Sequence, residues 1–187
     1  FYGAAKVYAV GSREENVKIA ESLGAEVINY KTLKCALPNG MHPNANSTNS
    51  EVVNYVLTQT NTKGVDCVLI CGGNDLSFPQ AVDMVKYGTG IVSNVMYFGA
   101  VLGEHENGID AIQIPKFSIG RGMAGKTLKF SLAKGGRKRM EYLMNLCAEG
   151  KIHPEVFITK RYHGLENIDA AIYDMKSRSA IKIAVQM

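Results

Sequence analysis

The apolar positions change their period repeatedly along the chain. Lys6-Val7-Tyr8-Ala9-Val10 is a short β-rich run, and Gly11-Ser12-Arg13 then turns the chain. From Glu14 to Leu23 the apolar residues fall three apart at Val17 and Ala20 and four apart at Ile19 and Leu23, with Gly24 as a stop, which predicts a helix. Glu26 to Asn29 predicts a second strand, and strand, helix, strand is the rhythm of a parallel sheet. Residues 31 to 50 are rich in turn formers and read as a surface loop. Ser50 is placed to cap a helix reaching about Thr60, carrying Val52, Val53, Val56 and Leu57. Val65 to Ile70 is nearly continuous in apolar residues, as a buried parallel strand would be, and Gly72-Gly73-Asn74 closes it. A helix over Ser77 to Val85 and a strand over Gly90 to Tyr97 continue the alternation.

Beyond Phe98 a glycine-rich, weakly patterned connection runs to Pro115, and Leu128 to Leu132 then alternates strictly. Met140, Leu143, Met144 and Cys147 signal a helix from Arg137 to Glu149. The tail predicts a strand (Val156 to Tyr162), a helix (Ile168 to Met175) and a last strand (Ala180 to Val185). No internal repeat is visible. The order predicts an α/β chain of the doubly wound parallel, or Rossmann, class.

Composition narrows the reading only slightly. At 187 residues, 46% hydrophobic and 20% charged, the chain has room for one full-sized domain with a real core. Its formal charge of +4 comes from 21 basic against 17 acidic residues, and the only basic cluster is Arg137-Lys138-Arg139, too little for a nucleic-acid footprint. Cys35, Cys67, Cys71 and Cys147 include no C-x-x-C pair and read as buried free thiols of a reducing compartment. No apolar stretch approaches the ~18 residues of a membrane span, and no signal peptide is seen, so a soluble, cytoplasmic protein is expected. The chain opens at Phe1 and runs at once into a strand, so a portion upstream is expected as well.

One segment satisfies two motifs at once. Gly120 to Thr127, GRGMAGKT, matches G-x-x-x-x-G-K-[ST], and its first six residues match G-x-G-x-x-G. Both readings need a helix directly afterwards, to present its N-terminal amides to phosphate. Leu128, Phe130 and Leu132 have the spacing of a strand instead, so the segment is expected to be a tight connection.

The chemistry is carried by Gly11-Ser12-Arg13, at the end of the first strand. In a dinucleotide-binding fold the corresponding strand ends in an acid that accepts from the adenosine ribose and repels a 2′-phosphate. Gly11 removes that acid, while Ser12 supplies a hydroxyl and Arg13 a bidentate cation, which suits a phosphate monoester. Taken alone, the same three residues also read as a solvated turn. Tyr30 closes the second strand on the same edge, where its ring could meet adenine or its hydroxyl the phosphate.

The segments VYAVGSRE, SLGAEVINY, TKGVDCVLICGGN, AVDMVKYGTGIVSNVMYFG, GMAGKTLKFSL, GGRKRMEYLMNL and HGLENIDAAI resemble the zinc-containing, NADP-dependent secondary alcohol dehydrogenases of the medium-chain family. The resemblance covers the carboxyl-terminal half of such an enzyme. It implies a Rossmann sheet lacking its first βα unit over residues 1 to 132, and a segment over 133 to 187 that packs against the catalytic domain. It implies NADP as cofactor, held by Gly11, Ser12, Arg13 and Tyr30 at the adenosine end. Cys71, Gly72 and Gly73 match the strand end near the nicotinamide ribose, and Val95, Met96 and Tyr97 the strand flanking the nicotinamide. Leu132 matches a residue beside the nicotinamide, and Arg178 stands where lysine is usual. Met96 replaces a common asparagine, and Arg121 is unusual in a segment that, with Met123, lies near the substrate cleft.

The resemblance places zinc and its Cys, His and Asp ligands upstream, so no catalytic or metal-ligating residue is expected here; His42, His105, His153 and His163 read as loop or surface histidines. The implied reaction is hydride transfer between NADP(H) and a secondary alcohol or ketone, by a homo-oligomer, a tetramer in the family, with neither nucleic acid nor membrane as partner. This chain alone is expected to be inactive. A zinc-free quinone or enoyl reductase of the same superfamily and a non-catalytic nucleotide-sensing domain are the alternatives.

Overall fold

The structure is a computed structural model that describes residues 3–42, 48–74, 76–95, 120–131 and 135–187. It has two compact units, one built from residues 1–31 with 134–187 and the other from residues 32–133.

In the first unit, β1 (Tyr8–Gly11) leads through α1 (Glu14–Ser22) to β2 (Glu26–Asn29). β1 and β2 pair in parallel, with Tyr8 opposite Glu26 and Gly11 opposite Asn29. This is the βαβ unit that the changing period predicts. Gly24, at φ +85°, ends the helix as expected, and the Ala25 amide donates back to the Ala20 carbonyl at 3.0 Å. α4 (Arg137–Ala148) follows, then β6 (Ile158–His163), α5 (Ile168–Lys176) and β7 (Lys182–Gln186). β6 and β7 pair in parallel, with an irregularity between Ile158 and Lys160. Buried apolar side chains are sparse here: Ile28, Leu146, Ala171 and Ala180.

The second unit is packed differently. α2 (Glu51–Gln59) starts at Ser50, whose Oγ accepts from the Val53 amide at 3.2 Å, so the predicted cap is in place. β3 (Cys67–Ile70), α3 (Ser77–Met84), β4 (Ile91–Asn94) and β5 (Thr127–Phe130) complete the unit. The three strands form one parallel sheet in the order β3-β4-β5. Ile70, Phe78, Ala81, Val82, Val85 and Val92 make a common core, with Val65, Val68, Met123 and Leu128 packed on it. Phe78 also stacks on Phe130, ring centres 5.6 Å apart.

Two expectations are corrected. The run from Val65 to Ile70 is not a fully buried strand: Val65 makes only a single bridge to Val85, and in β3 Leu69 is 57% exposed. Side chains alternate along a strand, so Val68 and Ile70 face the core while Cys67 and Leu69 lie on the opposite face. β3 is an end strand with α3 on one side, so half of its apolar residues have no cover within the unit. The cysteines are free, but Cys67, Cys71 and Cys147 are exposed and Cys35 is half-buried.

Among the described residues no helix is long and apolar enough to cross a membrane. The predicted connection from Phe98 to Pro115 lies outside the described residues.

Candidate functional site

Ser12 and Arg13 leave β1 just beyond the Gly11–Asn29 rung, and Tyr30 leaves β2 at the same end. The register therefore brings the three predicted adenosine-end residues to one carboxyl edge. A Cβ at Gly11 would meet nothing within 4 Å, so the glycine is not demanded by packing and leaves open space at the strand end. Tyr30 is 53% exposed. Arg13 serves as the N-terminal boundary of α1 without any side-chain cap.

Arg13 lines an open recess of about 200 Å³ together with Glu14, Glu15, Asn16, Arg178, Ser179, Ala180 and Ile181. Arg178 follows α5, so two arginines from distant parts of the chain line one concavity. Glu14 is engaged along its own helix by Lys18, at 2.6 Å, and that hydrogen bond holds its carboxyl below the usual range. Arg13 and Arg178 line the recess beside Glu14 and Glu15, while Ser12, next to Arg13 in the chain, is not part of its lining; arginine and serine are residue types that suit an oxyanion.

Sequence reasoning names Arg178 but misses what fixes it. Arg178 has φ +59°, a left-handed conformation that costs a non-glycine residue roughly 1–2 kcal/mol. Its amide donates to the Met175 carbonyl at 3.2 Å, and the Ser179 amide to the Asp174 carbonyl at 3.1 Å. That pair of bonds is the Schellman end of a helix, in which the left-handed place usually belongs to glycine. Asp174 holds the turn by its side chain also. Its Oδ1 accepts from Ser179 Oγ at 2.9 Å, and its Oδ2 from Lys160 Nζ at 2.7 Å and Tyr162 Oη at 2.5 Å. Hydrogen bonds from Lys160, then Tyr162 and Ser179, lower the Asp174 carboxyl to about 2 from the ordinary 3.8. The available signal is the i, i+2 placement of Lys160 and Tyr162 on β6, two polar groups on one face of a strand.

Cys71, Gly72, Gly73 and Val95, expected at the nicotinamide end, lie in the second unit. Cys71, Gly72 and Gly73 follow β3, and the Val95 amide donates to the Ile70 carbonyl at 3.1 Å, so Val95 leaves β4 at the same end of its sheet. Desolvation around the sulfur raises the Cys71 thiol above its ordinary value, although the residue as a whole is exposed. Gly73 is required by close approach: at φ +137° its Cβ would lie 2.0 Å from Ser77 Oγ. Met96, Tyr97 and Leu132 lie outside the described residues.

GRGMAGKT is a 3-10 turn (Gly120–Met123) followed by β5, and a strand in that place fits neither phosphate motif. Packing explains its glycine and lysine. Gly125 lies at φ +67°, where a Cβ would come within 2.4 Å of Gly88 Cα. Lys126 Nζ donates to the Val82 carbonyl at 2.6 Å, at the end of α3, and stands 4.1 Å from the centre of the Tyr87 ring. Desolvation lowers its pKa, with Asp83 opposing. Met123 packs on the core of this unit.

His42, His153 and His163 are exposed, and His153 faces Glu155 at 3.1 Å. His105 lies outside the described residues. Among the described residues no three His, Cys, Asp or Glu gather as a metal would need.

A parallel α/β architecture with an oxyanion-suited group at the carboxyl end of a strand pair belongs to the dinucleotide-binding class. Residues 1–148 match the zinc-binding dehydrogenase family, and the chain belongs to it. It is 39% identical over 179 residues to an NADP-dependent isopropanol dehydrogenase of Entamoeba histolytica, covering 95% of this chain and 42% of that protein. An NADP-dependent isopropanol dehydrogenase of Clostridium beijerinckii is 36% identical over 177 residues, covering 94% and 43%. Among solved structures, alcohol dehydrogenase TADH from Thermus sp. ATN1 superposes with a TM-score of 0.68 at 25% identity, covering 98% of this chain and 45% of that one. The chain thus spans less than half the length of the relatives it matches.

Proposed function

We propose that this chain is the NADP-binding part of a medium-chain alcohol dehydrogenase that interconverts a small secondary alcohol and its ketone. The observation that carries the reading is the pairing of Arg13 with Arg178 in one recess beside an acid-free strand end. Their guanidinium groups and the Ser12 hydroxyl would hold the 2′-phosphate, and Gly11 keeps a carboxylate from repelling it. Tyr30, largely exposed, offers its ring to the adenine. Cys71, Gly72, Gly73, Val95, Met96, Tyr97 and Leu132 are proposed for the nicotinamide end, where Gly73, in a left-handed conformation against the Ser77 side chain, leaves no room for a Cβ. NADPH supplies the hydride when bound, and this chain's contribution is to hold and orient it.

The domain proposal is a cofactor domain over residues 1 to 132 and a segment over 133 to 187 that packs against a catalytic domain. The relatives named above favour a propan-2-ol-sized substrate. Zinc, which the family name carries, finds no fitting group among the described residues, so no step through a metal is assigned to them. A homo-oligomer in the cytoplasm completes the proposal.

Calorimetric titration with NADPH and NADH tests the reading. NADPH is expected to bind the tighter, and Arg13→Ala to weaken NADPH by about 2 kcal/mol, the scale of a charge-assisted hydrogen bond, with NADH nearly untouched. Equal losses for the two cofactors would remove the assignment.

A further inference from the structure

Arg178 occupies a place where its own backbone is strained. In the Schellman end of α5 the left-handed residue is ordinarily glycine, and nothing in the fold repays an arginine there: its side chain is exposed and forms no hydrogen bond or ion pair with a described residue. Strain of this kind persists where surrounding contacts over-determine the conformation, and it marks places where function asks for the residue. Here the over-determination is visible. Ser179, the next residue, is bonded to Asp174 three times: amide to carbonyl at 3.1 Å, hydroxyl to carbonyl at 3.3 Å and hydroxyl to Oδ1 at 2.9 Å. Lys160 Nζ reaches both Asp174 Oδ2 and Ser179 Oγ, the latter at 3.3 Å. Two residues on, the Ile181 amide donates to Thr159 Oγ1 at 2.9 Å, so the turn is tied to β6 on both sides of Arg178. The pinned stretch Arg178 to Ile181 is the wall of the recess that Arg13 and the start of α1 face.

We infer that Asp174 is a positioning residue for nucleotide selectivity: through Ser179 it locks the left-handed turn that presents Arg178 opposite Arg13, so that the two guanidinium groups bracket a phosphate monoester on a nucleoside. This rests on the reading of the recess as the 2′-phosphate site. It makes the preference for the phosphorylated cofactor depend on a carboxylate that touches no cofactor atom. It also separates fold stability from selectivity at one position, because Arg178→Gly relieves the backbone while deleting the cation.

The test uses the whole chain and two probes, adenosine 2′,5′-bisphosphate and adenosine 5′-monophosphate, with melting temperature measured alongside. The unsubstituted chain is expected to prefer the bisphosphate tenfold or more; no preference would overturn the reading of the site and this inference with it. Given that preference, Arg178→Gly is expected to raise the melting temperature and cut the preference about tenfold. Asp174→Asn is expected to lower the preference several-fold with little change for the monophosphate, and to add nothing in an Arg178→Gly background. The sign is diagnostic, since removal of a nearby negative charge by itself would tighten the bisphosphate. Ser179→Ala, which leaves the Lys160–Asp174 pair intact, should repeat the loss in a folded chain should Asp174→Asn fail to fold. A tighter or unchanged bisphosphate preference in both variants would overturn the inference and leave the reading of the site standing.

Discussion

The two units secure themselves by different means. Residues 32–133 close over a continuous apolar core, in which Ala81 and Val92 are wholly buried and Phe78 stacks on Phe130. Residues 1–31 with 134–187 bury few side chains, leave Met140, Met144, Ile168 and Ile172 largely open, and rely on polar ties such as the Asp174 group. Packing is short-ranged and tolerant of salt, whereas charged ties hold a particular geometry and fail when one partner changes protonation. The recess lined by Arg13 and Arg178 lies in the second kind of scaffold. Such a unit opens locally at lower cost, and a ligand that binds only its closed form stabilises it by mass action.

The contrast breaks most readily at the core. Phe78→Ala should cost about 3–5 kcal/mol in urea unfolding followed in the second unit, whereas Met144→Ala in the first should stay within about 0.5 kcal/mol. Similar losses at both places would erase the difference between the units. Gly125→Ala is the next largest effect, about 1–3 kcal/mol, since its Cβ would press on the Gly88 backbone, which has no side chain to swing away. A neutral outcome would mean that the second unit yields as readily as the first.

The smallest effect is the pH dependence of the Asp174 group in the first unit. The Asp174 carboxyl is depressed to about 2 from 3.8, so its stabilisation is complete above pH 3.8 and disappears as pH falls through about 2. Lys160 and Tyr162 are raised above 10.5 and 10.0, each chiefly by its hydrogen bond to Asp174. Their contribution is complete below pH 10 and is lost as pH rises through those raised values. Tyrosine absorbance at 295 nm, compared between the unsubstituted chain and Tyr162→Phe, should show one tyrosine ionising late. An ordinary titration of Tyr162 would remove the alkaline half of this expectation.

Elements formed by local periodicity are legible from sequence, as α2 with its Ser50 cap and the strand pair around α1 demonstrate. So is the meeting of Ser12, Arg13 and Tyr30 at one edge, because the strand, helix, strand order that sets it is a local pattern. What escapes is set by neighbours distant in sequence. The Asp174 ties join residues from Lys160 to Ser179 across a strand, a turn and a helix, and no fixed spacing announces them. The exposure of Leu69 escapes for the same reason, since an apolar run says that cover is wanted and not that it is supplied. Arg178 is named from resemblance, yet its left-handed backbone cannot be foreseen in Lys176-Ser177-Arg178-Ser179, where no glycine marks the helix end.

The uncovered face of β3 turns the strand into a built-in gauge of reagent access. Cys67, in the strand, and Cys71, just past its end, are free cysteines on exposed residues, the Cys71 sulfur being partly desolvated, and they flank the exposed Leu69. Anything laid over that face, whether more polypeptide or a second copy, would withdraw both sulfurs from an alkylating reagent together. Cys147, exposed on α4 in the other unit, reports reagent access there separately. Three native thiols thus allow burial of this strand to be timed by mass spectrometry without any introduced label.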